Sequence, residues 1–271
     1  MSFFIFTSPK ADDALMLCML LGGLVLAALL GQTARGARRE AEAGIVPGAV
    51  LFLSGLLTGL AFLISVTGFS AREQAQVREA LSVGRAWQYA GMLDEPARQA
   101  SGQLLKAYLS DRILFFREGT GEGLRSRMAE SRQKQAQLWS LAEQEVRRSP
   151  SPAVMSVLEA YSALGTSLQQ TQATWRRQLP DAAWCVLLLF AVSASFLAGY
   201  RGPSGYRARR ILLFMPVLTA LTLFMIMETD LPGQGVIHVT AEDLEALNEV
   251  LLSSGTPGSL PVRANAVPSL S

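Results

Sequence analysis

IVPGAVLFLSGLLTGLAFLISVTGF, residues 45–69, is the stretch that decides the fold of this chain. It is longer than the roughly 20 residues that a helix needs to cross the hydrocarbon core of a bilayer. It contains no Asp, Glu, Lys or Arg, so its burial in lipid carries no cost for a charged side chain. The stretch therefore predicts a transmembrane helix.

Three further apolar runs have the same character, and none of them contains a charged residue. They are Ala14–Gly31, Ala182–Tyr200 and Ile211–Met227. The whole chain is 50% hydrophobic and only 17% charged, which is low for a soluble domain. The sequence predicts an all-α integral membrane protein with four transmembrane helices and a helical extramembrane domain between the second and third spans.

The extramembrane domain is predicted from residues 71–181, which are rich in Ala, Glu, Gln, Arg and Leu and contain no strand-like run. Residues 253–271 are mostly Ser, Gly, Pro and Ala, a composition typical of disorder. The predicted segments are 1–70 with the first two spans, 71–181, 182–229 with the last two spans, 230–252 with a strand-like segment and an amphipathic helix, and a disordered tail at 253–271.

Turn and capping residues divide these helical segments. Asp94-Glu95-Pro96 is typical of a helix start, and the glycines of Gly119–Gly123 and the prolines of Ser149–Pro152 are typical of helix ends. Thr240 with Asp243 resembles a capping box ahead of the amphipathic helix.

A helix from Ala153 to about Leu179 has an apolar seam at alternating steps of four and three residues. The seam residues are Val157, Tyr161, Leu164, Leu168, Thr171 and Trp175. The partner of this seam is either another helix of the same subunit or a second subunit.

Several kinds of chemistry are not supported by the sequence. His238 is the only histidine, and no Cys, Asp or Glu cluster has metal-ligand spacing. Phosphate-binding and nucleophile motifs are also missing, and a net charge of +2 does not suggest nucleic acid. We therefore expect no catalytic residue, no metal and no cofactor, which leaves a conduit, a sensor or a scaffold.

The second span carries a weakly polar stripe. Ser54, Thr58, Ala61 and Ser65 lie within about 60° of one another on a helix, and the same line reaches Arg72 beyond the membrane. One interpretation is that the hydroxyls bond carbonyls of their own or a neighbouring helix. The other is that the stripe lines an ion path with an apolar constriction on the neighbouring face and Arg72 at its mouth, favouring anions. The pore-lining hypothesis comprises Ser54, Thr58, Phe62, Ser65, Val66, Phe69 and Arg72.

Small residues on the first two spans suggest a helix contact. Gly55 and Gly59 have the G-x-x-x-G spacing that allows close approach, and the first span offers a ridge of Gly23, Ala27 and Gly31. We expect these two faces to pack against each other.

The chain resembles the bestrophin-like family of bacterial membrane proteins, which is related in architecture to bestrophin anion channels. The resemblance extends from about Ile45 to Leu252 and includes departures from the family pattern. The segments that carry it are Glu79–Trp87, Met92–Arg98, Leu104–Arg112, Leu138-Trp139, Arg176–Pro180 and Glu228–Thr240. The departures are Glu228 and Leu231 where the family tends to have Asp and Arg, Glu159 and Ala163 where it tends to have Asn and Asp, and Leu81 where it tends to have Asn.

The resemblance implies a divergent homo-oligomer, with a pentamer as the expected assembly, whose second span lines a pore with a hydrophobic neck. The implied partners are the lipid bilayer, further copies of the chain and small inorganic ions. The implied location is a bacterial inner membrane with the helical domain in the cytoplasm, although cations in the short loops, such as Arg38 and Arg209, slightly favour the opposite orientation. The competing hypothesis is a membrane-anchored interaction or sensory module without a pore.

Overall fold

A computed structural model describes residues 9–35, 45–118, 122–201, 206–231 and 239–258 of the chain. These residues form helices and no strand. The helices are α1 Pro9–Arg35, α2 Ile45–Ala90, α3 Ala97–Glu118, α4 Glu122–Arg148, α5 Pro152–Trp175, α6 Asp181–Arg201, α7 Tyr206–Asp230 and α8 Glu242–Ser254. Helices α1, α2, α6 and α7 each contain a segment long and apolar enough to cross a membrane. The predicted all-α membrane fold with four spans is confirmed.

The chain divides into two compact units. We call Met1–Phe69 with Gln178–His238 the membrane unit, and Ser70–Arg177 with Val239–Ser271 the helical unit. Helix α2 contributes residues to both units. The C-terminal helix α8 belongs to the helical unit, although about 60 residues of membrane unit separate it in sequence from α5.

The membrane unit is held together by a close crossing of α1 and α6. A methyl group added at Gly31 would overlap the carbonyl oxygen of Phe196, and one added at Gly199 would overlap that of Ala28. The absence of side chains at these glycines lets the two backbones approach, and Ala27 is buried nearby on α1. The core beside this crossing contains Leu24, Ala61, Leu187, Ala191, Ala220, Leu223 and Ile226.

The predicted packing of α1 against the glycines of α2 is not observed. A Cβ added at Gly55, Gly59 or Gly23 would have no described atom within 4 Å. Of the ridge residues, Gly31 meets α6 instead, because α6 supplies its own glycine, Gly199, at the crossing point.

Asp230, at the end of α7, ties that helix to the segment before α6. Its carboxylate accepts the backbone N–H of Leu179 at 2.9 and 3.1 Å, two residues before α6 begins at Asp181. In the segment that begins at Glu228, Asp230 therefore links the end of α7 to the start of α6.

In the helical unit, α5 begins where the sequence predicts. Ser151 is its N-cap and accepts the N–H of Val154 at 3.3 Å, and Pro152 occupies the first turn, where it has no helical N–H to lose. Every predicted seam residue of α5 is buried. The seam packs within the subunit, since Thr171 bonds Glu79 of α2 and Gly165 faces Gln135 of α4.

The C-terminal segment is packed beyond the point where disorder is predicted. Gly258 donates its N–H to the carbonyl of Trp87 at 3.2 Å, and Lys106 donates to the carbonyl of Gly255 at 3.3 Å. A methyl group at Gly91 would overlap Gly258, so only a glycine fits there. Disorder is therefore wrong for 253–258, because two glycines, Gly255 and Gly258, take positive φ values and let the chain fold back onto the unit.

Other expectations about local structure have mixed outcomes. The N-cap of α8 is Ala241 and makes no side-chain hydrogen bond, so the Thr240–Asp243 capping box does not form. Leu244 and Leu251 of the predicted amphipathic helix are buried. The middle of the Gly119–Gly123 turn, the strand-like segment with His238, and the tail from 259 onward lie outside the described residues.

Candidate functional site

The hydroxyls of the α2 stripe face the inside of the membrane unit. Ser54, Thr58 and Ser65 are 5%, 8% and 2% exposed. Thr58 donates to the carbonyl of Ser54 at 2.7 Å, and the Ser65 hydroxyl lies 2.8 Å from the carbonyl of Ile226 and 2.7 Å from the hydroxyl of Thr229 on α7. The contacts of Thr58 and Ser65 are the ones that the packing interpretation expects, because both hydroxyls bond groups of the same subunit.

Arg72 continues the buried stripe at the start of the helical unit. Its side chain is only 2% exposed, so it does not offer its charge to solvent in the single chain. The structure turns the residues of this stripe towards protein.

A different face of α2 is open. Phe62 is 38% exposed, Val66 and Phe69 are half-buried, and Gly55 and Gly59 have open space where a Cβ would lie. At about 100° per residue these five residues lie within about 80° of one another. The phenylalanines were predicted to form a constriction and the glycines to form a helix contact. In the structure they share one open face of α2.

The polar centre of the helical unit is the carboxylate of Glu79. It accepts hydrogen bonds from Tyr108 at 2.8 Å, from Thr171 at 2.8 Å, and from two nitrogens of Arg112, one of them at 3.0 Å. Glu79 and Arg112 are both fully buried. A single carboxylate thus joins α2, α3 and α5.

Aromatic rings enclose the other side of this ion pair. The guanidinium of Arg112 lies 4.1 Å from the ring centroid of Phe115. Phe115 and Phe116 each pack against Trp175 of α5, with centroids 5.1 and 5.2 Å apart. The cation is therefore compensated by a carboxylate and by the faces of aromatic rings, which reduces the cost of its burial.

The surroundings change the proton affinities of this cluster. Burial and the negative charge of Glu79 raise the pKa of Tyr108 well above its ordinary value, so its hydroxyl stays a donor. Burial alone would lower the pKa of Arg112, but the charge and hydrogen bonds of Glu79, with smaller contributions from Tyr108 and Asp111, raise it. The cluster is a buried, hydrogen-bonded ion pair that joins three helices.

Glu79, Tyr108 and Arg112 lie in segments that carry the resemblance to the family, but no role was predicted for them from the sequence. A signal was present, since Arg112 falls on the apolar stripe of α3 with Leu105, Leu109 and Phe116, and these residues are all buried. A charge on a buried stripe indicates a buried partner. The identity of the partner, 33 residues away in sequence, depends on the fold.

Metal-ligating side chains do not come together in the part of the chain that the structure describes: no group of three or more His, Cys, Asp or Glu there could hold an ion.

Comparisons with known proteins identify the fold. No protein-family model matches the chain, and no curated protein sequence matches it. The chain is similar to the crystal structure of a bacterial bestrophin homologue from Klebsiella pneumoniae, with a TM-score of 0.68 and 11% identity over 87% of this chain and 97% of that chain.

Two further crystal structures, both described as variants of a membrane protein, match with TM-scores of 0.65 at 12% and 11% identity and cover 98% and 97% of their chains. The chain therefore has a four-span, all-helical membrane fold, and that fold is the one seen in a bacterial bestrophin homologue. The resemblance drawn from the sequence is confirmed for the fold.

Proposed function

We propose that this multi-pass membrane protein is a homo-oligomeric channel that passively conducts ions, with α2 lining the path. The observation that carries the proposal is the fold likeness to a bestrophin homologue over 97% of that protein's chain. In bestrophins, the family that this chain resembles, the second span lines a pore formed by several subunits about an axis. Single lining helices close such a path only when several subunits are arranged around an axis, so the proposal requires an assembly.

The open face of α2 is the part that we assign to the path. Phe62, Val66 and Phe69 would form the apolar neck, since a ring of such side chains narrows a pore and controls its wetting. Gly55 and Gly59 would leave a wider section on one side of the neck, because they have no side chain and no described atom lies within 4 Å of where a Cβ would be.

The buried hydroxyls receive a different role in this proposal. Ser65 holds α2 against α7 through its contacts with Ile226 and Thr229, whereas Thr58 bonds the carbonyl of Ser54 within α2 itself. All three residues are buried, which supports a packing role for this face. The proposed path keeps Phe62, Val66 and Phe69 from the pore-lining hypothesis of the sequence and leaves out the hydroxyl stripe.

The conducted ions are proposed to be anions, as the resemblance implies. Arg72 is buried and Glu73, the next residue, is exposed, so local charge on α2 does not itself favour anions. The reversal potential under a chloride gradient measures the preference for anions over cations directly. A reversal potential shifted towards the equilibrium potential of the cation would contradict the proposal.

The matched pair Phe62→Cys and Ser65→Cys tests the lining. Both are made in a background where Cys18 and Cys185, which are exposed, are replaced by Ser. In liposomes or planar bilayers, a membrane-impermeant thiol reagent is expected to block the current of the Phe62→Cys protein and to leave that of the Ser65→Cys protein unchanged.

Two outcomes would contradict the proposal. An intact oligomer without current in any ionic condition would defeat conduction and leave a membrane-anchored module. Reaction at Ser65→Cys but not at Phe62→Cys would return the path to the hydroxyl stripe.

We also propose that the chain lies in the bacterial inner membrane with the helical unit on the cytoplasmic side. A reporter fused within the helical unit and active only in the cytoplasm is expected to be active. Activity of a periplasm-specific reporter at the same site would reverse the orientation.

A further inference from the structure

A cleft in the helical unit, between α2 and α5, has the features of a binding site. Its volume is about 410 Å³, within the range of small-molecule pockets. Its lining comes from two successive turns of α2 and from the facing turns of α5. The lining residues are Arg78, Leu81, Ser82, Arg85, Ala163, Thr166, Ser167 and Gln170.

The charge of the cleft is positive. Arg78 and Arg85 line it, and none of its described lining residues is acidic. Within the part of the chain that the structure describes, Arg78 donates one hydrogen bond, to Gln74 at 3.2 Å, which leaves most of its N–H groups available. Two guanidinium groups without a carboxylate between them favour an anionic occupant.

The other polar groups of the cleft are mostly engaged. The hydroxyls of Ser82, Thr166 and Ser167 donate to carbonyls of their own helices at 2.8, 3.1 and 2.8 Å. Recognition of an anion would therefore depend on the two arginines, with the amide of Gln170 as a further donor.

An apolar surface separates the two arginines. Leu81 lies between them on α2 and is 61% exposed, and Ala163 faces it from α5. A short apolar surface thus lies beside the two guanidinium groups of the cleft.

The spacing of the arginines selects the shape of the occupant. Seven residues along a helix correspond to about 10 Å along its axis. We propose that this cleft binds a small organic dianion in which two carboxylates are joined by a short apolar chain, each carboxylate paired with one arginine and the chain lying over Leu81. This site is independent of ion conduction, so it can stand or fall separately from the channel proposal.

The test uses the purified full-length protein in nanodiscs and isothermal titration with unbranched α,ω-dicarboxylates from succinate to azelate. We expect one chain length to bind best, and the monocarboxylate of that length to bind at least about tenfold more weakly, because it engages one arginine. Arg78→Gln and Arg85→Gln are each expected to weaken dicarboxylate binding at least about tenfold. Arg125→Gln, an exposed arginine of α4 away from the cleft, is the control and should change nothing.

A second pair of variants tests the cleft without removing either arginine. Ala163→Asp would supply a competing carboxylate and is expected to abolish binding, whereas the neutral Ala163→Asn should retain it. Ala163 is exposed, so both side chains can be accommodated.

Failure of every dicarboxylate to bind at millimolar concentration would overturn the proposal. So would equal binding of mono- and dicarboxylates or of inorganic phosphate, since a single anchor would then suffice. Binding that survives in both arginine variants and in Ala163→Asp would locate the ligand elsewhere and would overturn it as well.

Discussion

The carboxylate of Glu79 shows how one residue can join three helices. It accepts hydrogen bonds from side chains of α3 and α5, and its charge balances Arg112 in an environment closed to water. A buried pair of this kind contributes little net stability compared with apolar residues, but loss of one member leaves an uncompensated charge. Its effect is to specify which helices meet and at which residues.

The substitution Glu79→Gln tests this role. It keeps the shape of the side chain but leaves the Arg112 cation buried without a counter-charge. We expect the free energy of unfolding, measured by denaturant titration in detergent, to fall by about 3–5 kcal/mol. Glu73→Gln, at an exposed position of the same helix, should stay within about 0.5 kcal/mol of the parent protein.

The double variant Glu79→Leu with Arg112→Met provides the complementary control. Because it removes both charges together, it should lose less stability than the sum of the single variants. Additive losses would mean that the pair does not act as a unit.

Tyr161 leads to a prediction for alkaline pH. Burial raises its pKa to about 12, above the ordinary value of 10.0. The folded protein therefore holds this proton more tightly than the unfolded chain does, and its contribution to stability is complete below pH 10. Stability should fall between about pH 10 and 12, by about 1.4 kcal/mol per pH unit for this residue.

The comparison with Tyr161→Phe isolates this contribution. The variant should lose stability less steeply than the parent over this pH range, because it has no phenol to ionise. Equal slopes in the two proteins would contradict the prediction. Tyr108, whose pKa is also raised, should keep part of the slope in the variant.

At the scale of elements, the crossing of α1 and α6 depends on two glycines that have no room for a side chain. Both backbones contribute one, so the carbonyl of Ala28 lies over Gly199 and that of Phe196 over Gly31. In a bilayer, where helices gain little from burying apolar surface against each other, such close packing is a main source of association.

Gly31→Ala and Gly23→Ala form a matched test on α1. The first should destabilise the membrane unit by about 1–3 kcal/mol, because the added methyl group forces the helices apart. The second should be neutral or slightly stabilising, since no described atom lies near that position and Ala favours helix. Unfolding in mixed detergent micelles measures both, and equal effects would argue against the close crossing.

At the scale of the whole molecule, α2 has one face buried by its own subunit and other faces left open. Phe52, Leu56 and Leu63 are all more than half exposed, as expected for side chains that meet lipid or another subunit. The proposed channel assigns only the face of Phe62 to the ion path.

Phe62→Ala and Leu63→Ala distinguish these faces by conductance. Removing the ring at Phe62 should widen the proposed neck and increase single-channel current, whereas truncating Leu63, about 100° away, should leave it near the parent value. Planar-bilayer recordings of the two variants at equal reconstitution measure the difference. A larger effect at Leu63 would mean that a different face lines the path.

Much of this architecture was predictable from the sequence, because its causes are local. Uninterrupted apolar runs predicted four spans, and alternating steps of four and three predicted the buried seam of α5. The helix predicted from Ala153, after the helix end at Ser149–Pro152, begins one residue earlier at Pro152. Hydrophobic length, periodicity and capping act within one element and can be recognised without a partner.

The fold alone decided which partner each face meets. Spacing showed that Ser54, Thr58 and Ser65 share a face, but only packing against α7 showed that this face is buried. Likewise, Gly31 and Gly59 both lie in predicted transmembrane spans. Gly31 is in the close crossing of α1 and α6, whereas Gly59 has open space beside it. These properties depend on contacts between residues far apart in sequence, and a periodic pattern on one helix does not specify the helix that will pack against it.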